Sequence, residues 1–160
     1  MLTVKIICVG NLKEKYWRDA IAEYSKRLSA FCKFDIHEIN EVKLPDNPGE
    51  KDISKALAEE GRQILKIAQD ARCKIFPLVI EGKMQSSENL AKMIEQEAVM
   101  GTSAIAFVIG SSHGLCDEVK KAGRGISMSP MTFPHQLARV MLCEQIYRAF
   151  SINAGTRYHK

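Results

Sequence analysis

The sequence predicts an α/β fold: a mainly parallel sheet with helices on both faces, in a single domain spanning 1–160. Three observations carry this. Short β-branched runs alternate with segments of helical periodicity along the whole chain. The run Ile105-Ala106-Phe107-Val108-Ile109 is apolar at every position, as a strand covered on both faces must be. No repeat, low-complexity tract or linker divides the 160 residues, a length suited to one well-filled core.

The elements follow in order. Leu2 to Val9 reads as a strand ending at Gly10, and Asn11 to Lys15 as a loop. Trp17, Ile21, Tyr24 and Leu28 recur at helical spacing and predict a helix over 16–29. Phe34 to Ile39 is a second strand. Asn40 to Lys51, with Pro45, Pro48 and Gly49 among charges, reads as an exposed loop. Ile53, Leu57, Ile64 and Ala68 mark the next helix. Lys74 to Ile80 is a strand in which Pro77 lacks a ladder donor, so a bulge or an edge is expected there. Ser87 is placed to cap a helix carrying Leu90, Ile94 and Glu97. After the strand to Gly110 come a short helical turn near Asp117 to Lys121, a short strand Ile126 to Met128, and a last helix from Pro134.

That last helix is apolar around most of its circumference: Leu137, Val140, Met141, Leu142, Cys143, Ile146, Tyr147 and Phe150. Such a helix is buried on more than one side. A central core helix and a subunit interface satisfy this equally.

Composition excludes several classes. The first residues lack the basic start and cleavage site of a signal peptide, and no apolar run approaches the ~20 residues of a membrane helix. The five cysteines stand singly without CxxC spacing, which argues for reduced thiols in the cytoplasm, packed as small hydrophobes. His37, His113, His135 and His159 lie in separate segments without metal-ligand spacing, so no metal is expected. The phosphate-loop signature, G-x-G-x-x-G and G-x-S-x-G are all absent. A net charge of +4 is compatible with an RNA partner without demanding one.

What remains is a pair of loops flanking the last helix and the strand before it. Gly110 at a strand end permits close approach of a flat ligand, which a Cβ would block. The run Met128, Ser129, Pro130, Met131, Thr132, Phe133 offers backbone N–H and C=O groups that could read an adenine edge, with Leu78 and Met131 against its faces. Each residue alone is ordinary turn chemistry. Their joint order describes an adenosine pocket built largely of backbone, at the strand ends where open α/β sheets bind ligands.

Phe107-Val108-Ile109-Gly110-Ser111-Ser112-His113-Gly114-Leu115, Met131-Thr132-Phe133-Pro134-His135-Gln136, Glu144-Gln145-Ile146-Tyr147-Arg148-Ala149-Phe150 and Tyr158-His159-Lys160 resemble the ribosomal large-subunit pseudouridine N3-methyltransferases of the SPOUT (trefoil-knotted) superfamily. The likeness extends to Val9-Gly10, Lys13-Glu14-Lys15-Tyr16-Trp17, Ala22-Glu23-Tyr24, Lys26-Arg27-Leu28 and Glu81-Gly82-Lys83, and so spans the chain. Two positions depart from it: Ser111, where that family usually has glycine, and Pro130, where it usually has lysine.

The resemblance implies a C-terminal trefoil knot and S-adenosyl-L-methionine as methyl donor, held by Leu78, Gly110 and Met128 to Phe133. It implies a homodimer packed through the knot helices, and a pseudouridine of 23S rRNA within the ribosome as substrate. Methylating a ring nitrogen needs in-line geometry and a way to remove or stabilise the departing proton's charge. His135, Arg139, Tyr158 and His159 are the candidates for that work. Plainer roles stand beside each: His135 bonding the loop, Arg139 solvated or holding phosphate, the tail a frayed end. Lys13, Lys15, Arg18, Lys26 and Arg27 either meet phosphate or solvate the first helix. Another RNA target such as tRNA, and a non-catalytic nucleotide-binding module, are the rival functions.

Overall fold

The computed structural model describes residues 1–160. Its strands are β1 (Thr3–Val9), β2 (Lys33–Ile39), β3 (Lys74–Met84), β4 (Ala104–Ile109) and β5 (Ile126–Ser127). Its helices are α1 (Lys15–Leu28), α2 (Glu50–Asp70), α3 (Ser87–Val99), α4 (Asp117–Lys121) and α5 (His135–Asn153). The sheet order is β2-β1-β4-β3-β5, and every strand pair is parallel.

The alternation of side chains along each strand divides the core in two. Val4, Ile6 and Cys8 of β1, with Ile105, Phe107 and Ile109 of β4, face Leu28 of α1, Leu90 and Ile94 of α3, and Leu142 and Ile146 of α5. Ile7, Val9, Ala106 and Val108 point the other way, onto Ile64 and Ala68 of α2 and Val119 of α4. All six residues of β4 are buried, because this strand lies in the middle of the sheet under helices on both sides.

Some boundaries differ from the sequence expectation for local reasons. Ser86, not Ser87, caps α3: its hydroxyl accepts from the Asn89 amide at 3.1 Å. Pro134 is itself the cap position of α5, not its first helical residue. β3 continues past Ile80 to Met84 because it changes partner. Its ladder with β4 ends at Pro77↔Val108, and beyond the proline it pairs with β5 through a register shift between Leu78 and Lys83. The missing proline N–H thus falls where the strand leaves its neighbour, and the bulge anticipated there follows at once.

Within one chain α5 already lies against α1 and α3. Phe150 stacks on Phe31 with centroids 5.9 Å apart, and Tyr147 meets both Phe31 and Tyr158 edge-on. No residue from His135 to Ile152 is fully exposed. Much of the helix's apolar girth is therefore accounted for by intrachain neighbours, with Val140 and Met141 only half-covered. None of the helices is long and apolar enough to cross a membrane.

Candidate active site

A cleft of about 590 Å³ opens at the C-terminal ends of β3, β4 and β5. That volume lies within the range of small-molecule and cofactor sites. Leu78, Val79 and Ile80 form one wall, Ile109 to Ser112 with Gly114 and Leu115 the floor, and Met128, Ser129, Met131, Thr132 and Phe133 the opposite side. His135 and Ala138, in the first turn of α5, close the end. Of the candidate ligand-holding residues only Pro130 does not line the cleft; it faces solvent. The sequence reading missed Val79, Ile80, Ser111, Ser112 and Lys120 as lining residues. The strand bulge after Pro77 turns Val79 and Ile80 toward the cleft, and no sequence signal gives the direction of such a bulge.

Two features suit the cleft to a ligand with one apolar and one hydrogen-bonding face. Its walls are aliphatic and aromatic. Along 128–133, only the Met131 amide has an intramolecular partner, the Ser129 hydroxyl at 3.1 Å; the amides of Ser129, Thr132 and Phe133 are free. Backbone donors left open beside an apolar slot are able to meet the polar edge of a ligand.

Gly110 has a reason within the chain itself as well. A Cβ there would stand 2.3 Å from the Gly114 carbonyl oxygen and 3.0 Å from Leu115 Cδ2. The missing side chain makes room for the turn's own backbone. The turn closes through the Gly114 amide onto the Ser111 carbonyl at 2.9 Å, with Gly114 at φ +87.

His135 lies over Gly10 at the end of β1: a Cβ on that glycine would be 3.8 Å from His135 Nε2. One turn on, Arg139 is almost wholly enclosed, at 1% exposure. Its guanidinium donates to Glu38 Oε2 at 2.7 Å and to the Gly10 carbonyl at 3.0 Å. Glu38 Oε2 in turn accepts from the Leu12 amide at 3.2 Å. Arg139 does not line the cleft. The solvated and phosphate-holding roles considered for it are therefore replaced: it is a buried strut that ties α5 to the ends of β1 and β2 and holds the Gly10–Leu12 turn beneath His135.

The tail is not frayed. Tyr158 donates to Glu144 Oε1 at 3.1 Å, packs edge-on against Tyr147 at 4.7 Å, and carries the Arg148 guanidinium over its ring at 4.8 Å. Burial, and then the Glu144 carboxylate, push its phenol up to about 12, so at neutral pH it is a donor and not a base. His159 sits between two partners: Nδ1 is 3.2 Å from Arg148 Nη1, and Nε2 is 3.0 Å from Glu88 Oε1. Arginine can only donate, so Nδ1 accepts and the proton resides on Nε2. None of these tail residues lines the cleft of its own chain. The four candidates for proton chemistry thus fall in three places: His135 at the cleft, Arg139 beneath it, and Tyr158 with His159 on the outer face of α5. No group of three or more His, Cys, Asp or Glu side chains is placed to hold a metal ion.

The parallel α/β sheet carries its cleft at the strand ends, and the family described as "Predicted SPOUT methyltransferase" matches residues 2–159. Ribosomal RNA large subunit methyltransferase H of Clostridium novyi is 52% identical, over 99% of this chain and all of its own. The protein of the same name from Latilactobacillus sakei is 48% identical with the same coverage. Among solved structures, TrmJ from Z. mobilis superposes over 93% of this chain and 70% of its own, with a TM-score of 0.50 at 14% identity, a likeness of fold alone. The chain belongs to the SPOUT methyltransferase family, alongside the proteins called ribosomal RNA large subunit methyltransferase H.

Proposed function

We propose that this protein transfers a methyl group from S-adenosyl-L-methionine to N3 of a pseudouridine in 23S rRNA, within the assembled ribosome. It does so as a cytoplasmic homodimer whose single domain, 1–160, carries a trefoil knot in its C-terminal half. The observation that carries the reading is the cleft: an apolar slot with the free amides of Ser129, Thr132 and Phe133 along one side and His135 at its end. Those residues suit an adenosine: Leu78, Ile109, Met128 and Phe133 for the faces of the base, the loop backbone for its edge. The relatives at about half identity, named for large-subunit ribosomal RNA, support the substrate class.

When bound, the cofactor supplies an electrophilic methyl carbon on a sulfonium. The chain's own residues have four tasks. The apolar walls keep water from the slot and hold the ligand in one orientation, which turns methyl transfer into an intramolecular-like step. His135 is positioned to take the imide proton as the N3–C bond forms and the S–C bond breaks. The Arg139–Glu38 strut keeps the Gly10 turn and the histidine in register. Tyr158 and His159, remote from their own cleft, complete the site of the partner subunit, with the phenol as a donor to the developing imide anion.

The test is transfer of labelled methyl from the cofactor to ribosomes of a strain lacking this gene, with mapping of the modified nucleoside. Label in a 23S pseudouridine is the expected result. Label in tRNA, or cofactor binding with no transfer to any RNA, would refute the assignment.

A further inference from the structure

One buried ionisable group beside the cleft has no part in the proposed chemistry. Glu60, on α2, is only 3% exposed. Its Oε2 accepts from the Val42 amide at 3.0 Å, while its Oε1 is enclosed with no partner. A carboxylate oxygen left bare in the interior is costly and calls for a reason. Burial, with help from the Glu41 carboxylate, raises the acid's pKa; the Val42 amide, the Ser111 hydroxyl and His113 pull the other way.

The position of the group suggests that reason. Glu60 reaches two segments that leave the C-terminal end of the sheet: the stretch after β2 that contains Val42, and the turn after β4 that floors the cleft. The next residue, Gly61, packs so tightly on the end of that turn that a Cβ would meet Cys116 Sγ at 2.3 Å. α2 therefore lies hard against the end of the turn, with no room for a side chain between them. Ser111 lines the cleft, and its hydroxyl now makes only a long contact, 3.4 Å, from the His113 amide. Its hydroxyl is near enough to Glu60 to pull the carboxyl's pKa down, yet Oε1 has no partner of good hydrogen-bond geometry. A weakly engaged donor thus faces an unpartnered acceptor, with the cleft on one side and a loop on the other.

We infer that Glu60 is a positioning residue that couples occupancy of the cleft to the order of the 40–46 segment. A ligand seated against Ser111 turns its hydroxyl onto Glu60 Oε1, and the carboxylate so fixed holds the Val42 amide more firmly. The inference rests on the cofactor reading of the cleft.

The experiment is hydrogen exchange of single amides by NMR, with and without saturating S-adenosyl-L-homocysteine, its binding followed by calorimetry. In the parent protein the ligand should slow exchange of the Val42 amide about tenfold, the size expected for firming one charge-assisted hydrogen bond. The Gly49 amide, held in the same loop by Asp52 at 3.0 Å, should not change. In Ser111→Ala at saturation the Val42 response should vanish, and Ser111→Thr, which keeps a hydroxyl, should restore it. Ligand binding without any change at Val42, or a Ser111→Ala protein that responds like the parent, would overturn the coupling alone. Absence of binding in the parent would overturn the cofactor reading and this inference with it.

Discussion

Replacing Arg139 by methionine separates a structural strut from a group that touches substrate. The substitution removes two hydrogen bonds, to Glu38 at 2.7 Å and to the Gly10 carbonyl at 3.0 Å. Bonds involving a charged partner contribute about 1.5–3 kcal/mol each. Removing one partner of a fully buried ion pair costs about 3–5 kcal/mol, because the other charge is stranded. Here the stranded charge is not fully buried: the Glu38 side chain is 40% exposed and keeps the Leu12 amide. The arginine also carries an enclosed Nε without a partner, a penalty of about 1–3 kcal/mol that methionine abolishes. The net expectation is a loss of about 2 kcal/mol, or roughly 4–8 °C in Tm for a chain of this size. Thermal and urea unfolding would measure it. Methylation of ribosomes assayed well below the new Tm should fall less than about tenfold, because His135 retains its backbone position on α5. A variant with the parental Tm and no methyl transfer would refute the strut and return Arg139 to the reacting atoms.

Three further outcomes follow from the same geometry. Gly110→Ala should lower Tm and cofactor affinity together, as Gly110→Val should, because the first added carbon already meets the Gly114 carbonyl at 2.3 Å; a stable Gly110→Ala protein with normal calorimetric affinity would show that the turn relaxes freely. Deleting Tyr158 to Lys160 removes the Tyr147 edge contact and the Arg148 cation–π contact, costing about 1–2 kcal/mol, while cofactor affinity stays at the parental value and methyl transfer falls by orders of magnitude; transfer at the parental rate would leave the tail a merely structural clasp. Burial pushes the Cys8, Cys32 and Cys143 thiols up to about 12, so a disulfide reagent at pH 8 should label only the half-exposed Cys73 and Cys116 before unfolding, and all five cysteines after it; rapid reaction of a third thiol in the native protein would contradict the packing around it.

The sequence by itself determined the order of the elements, because helical and strand periodicities are local and each face needs a covering layer. It showed β4 as a strand buried on both sides, since no polar residue interrupts Ala104 to Ile109, and it showed trouble at Pro77, since a missing N–H is a property of the residue. It also placed the candidate cleft, because Leu78, Gly110 and the Met128 to Phe133 run all fall at strand ends or just beyond them. The tertiary structure alone decided what the polar residues do. Arg139 is one turn from His135 on the same helix, yet the approach of β1 and β2 encloses it and makes it a strut. Tyr158 and His159 fold back onto Glu144, Arg148 and Glu88, partners up to 71 positions away, which no local pattern encodes. Gly110 is required by the carbonyl of Gly114, a contact fixed by how the turn closes. Glu60 carries no sequence signal of its own, and only tertiary packing leaves that carboxylate buried with an oxygen to spare.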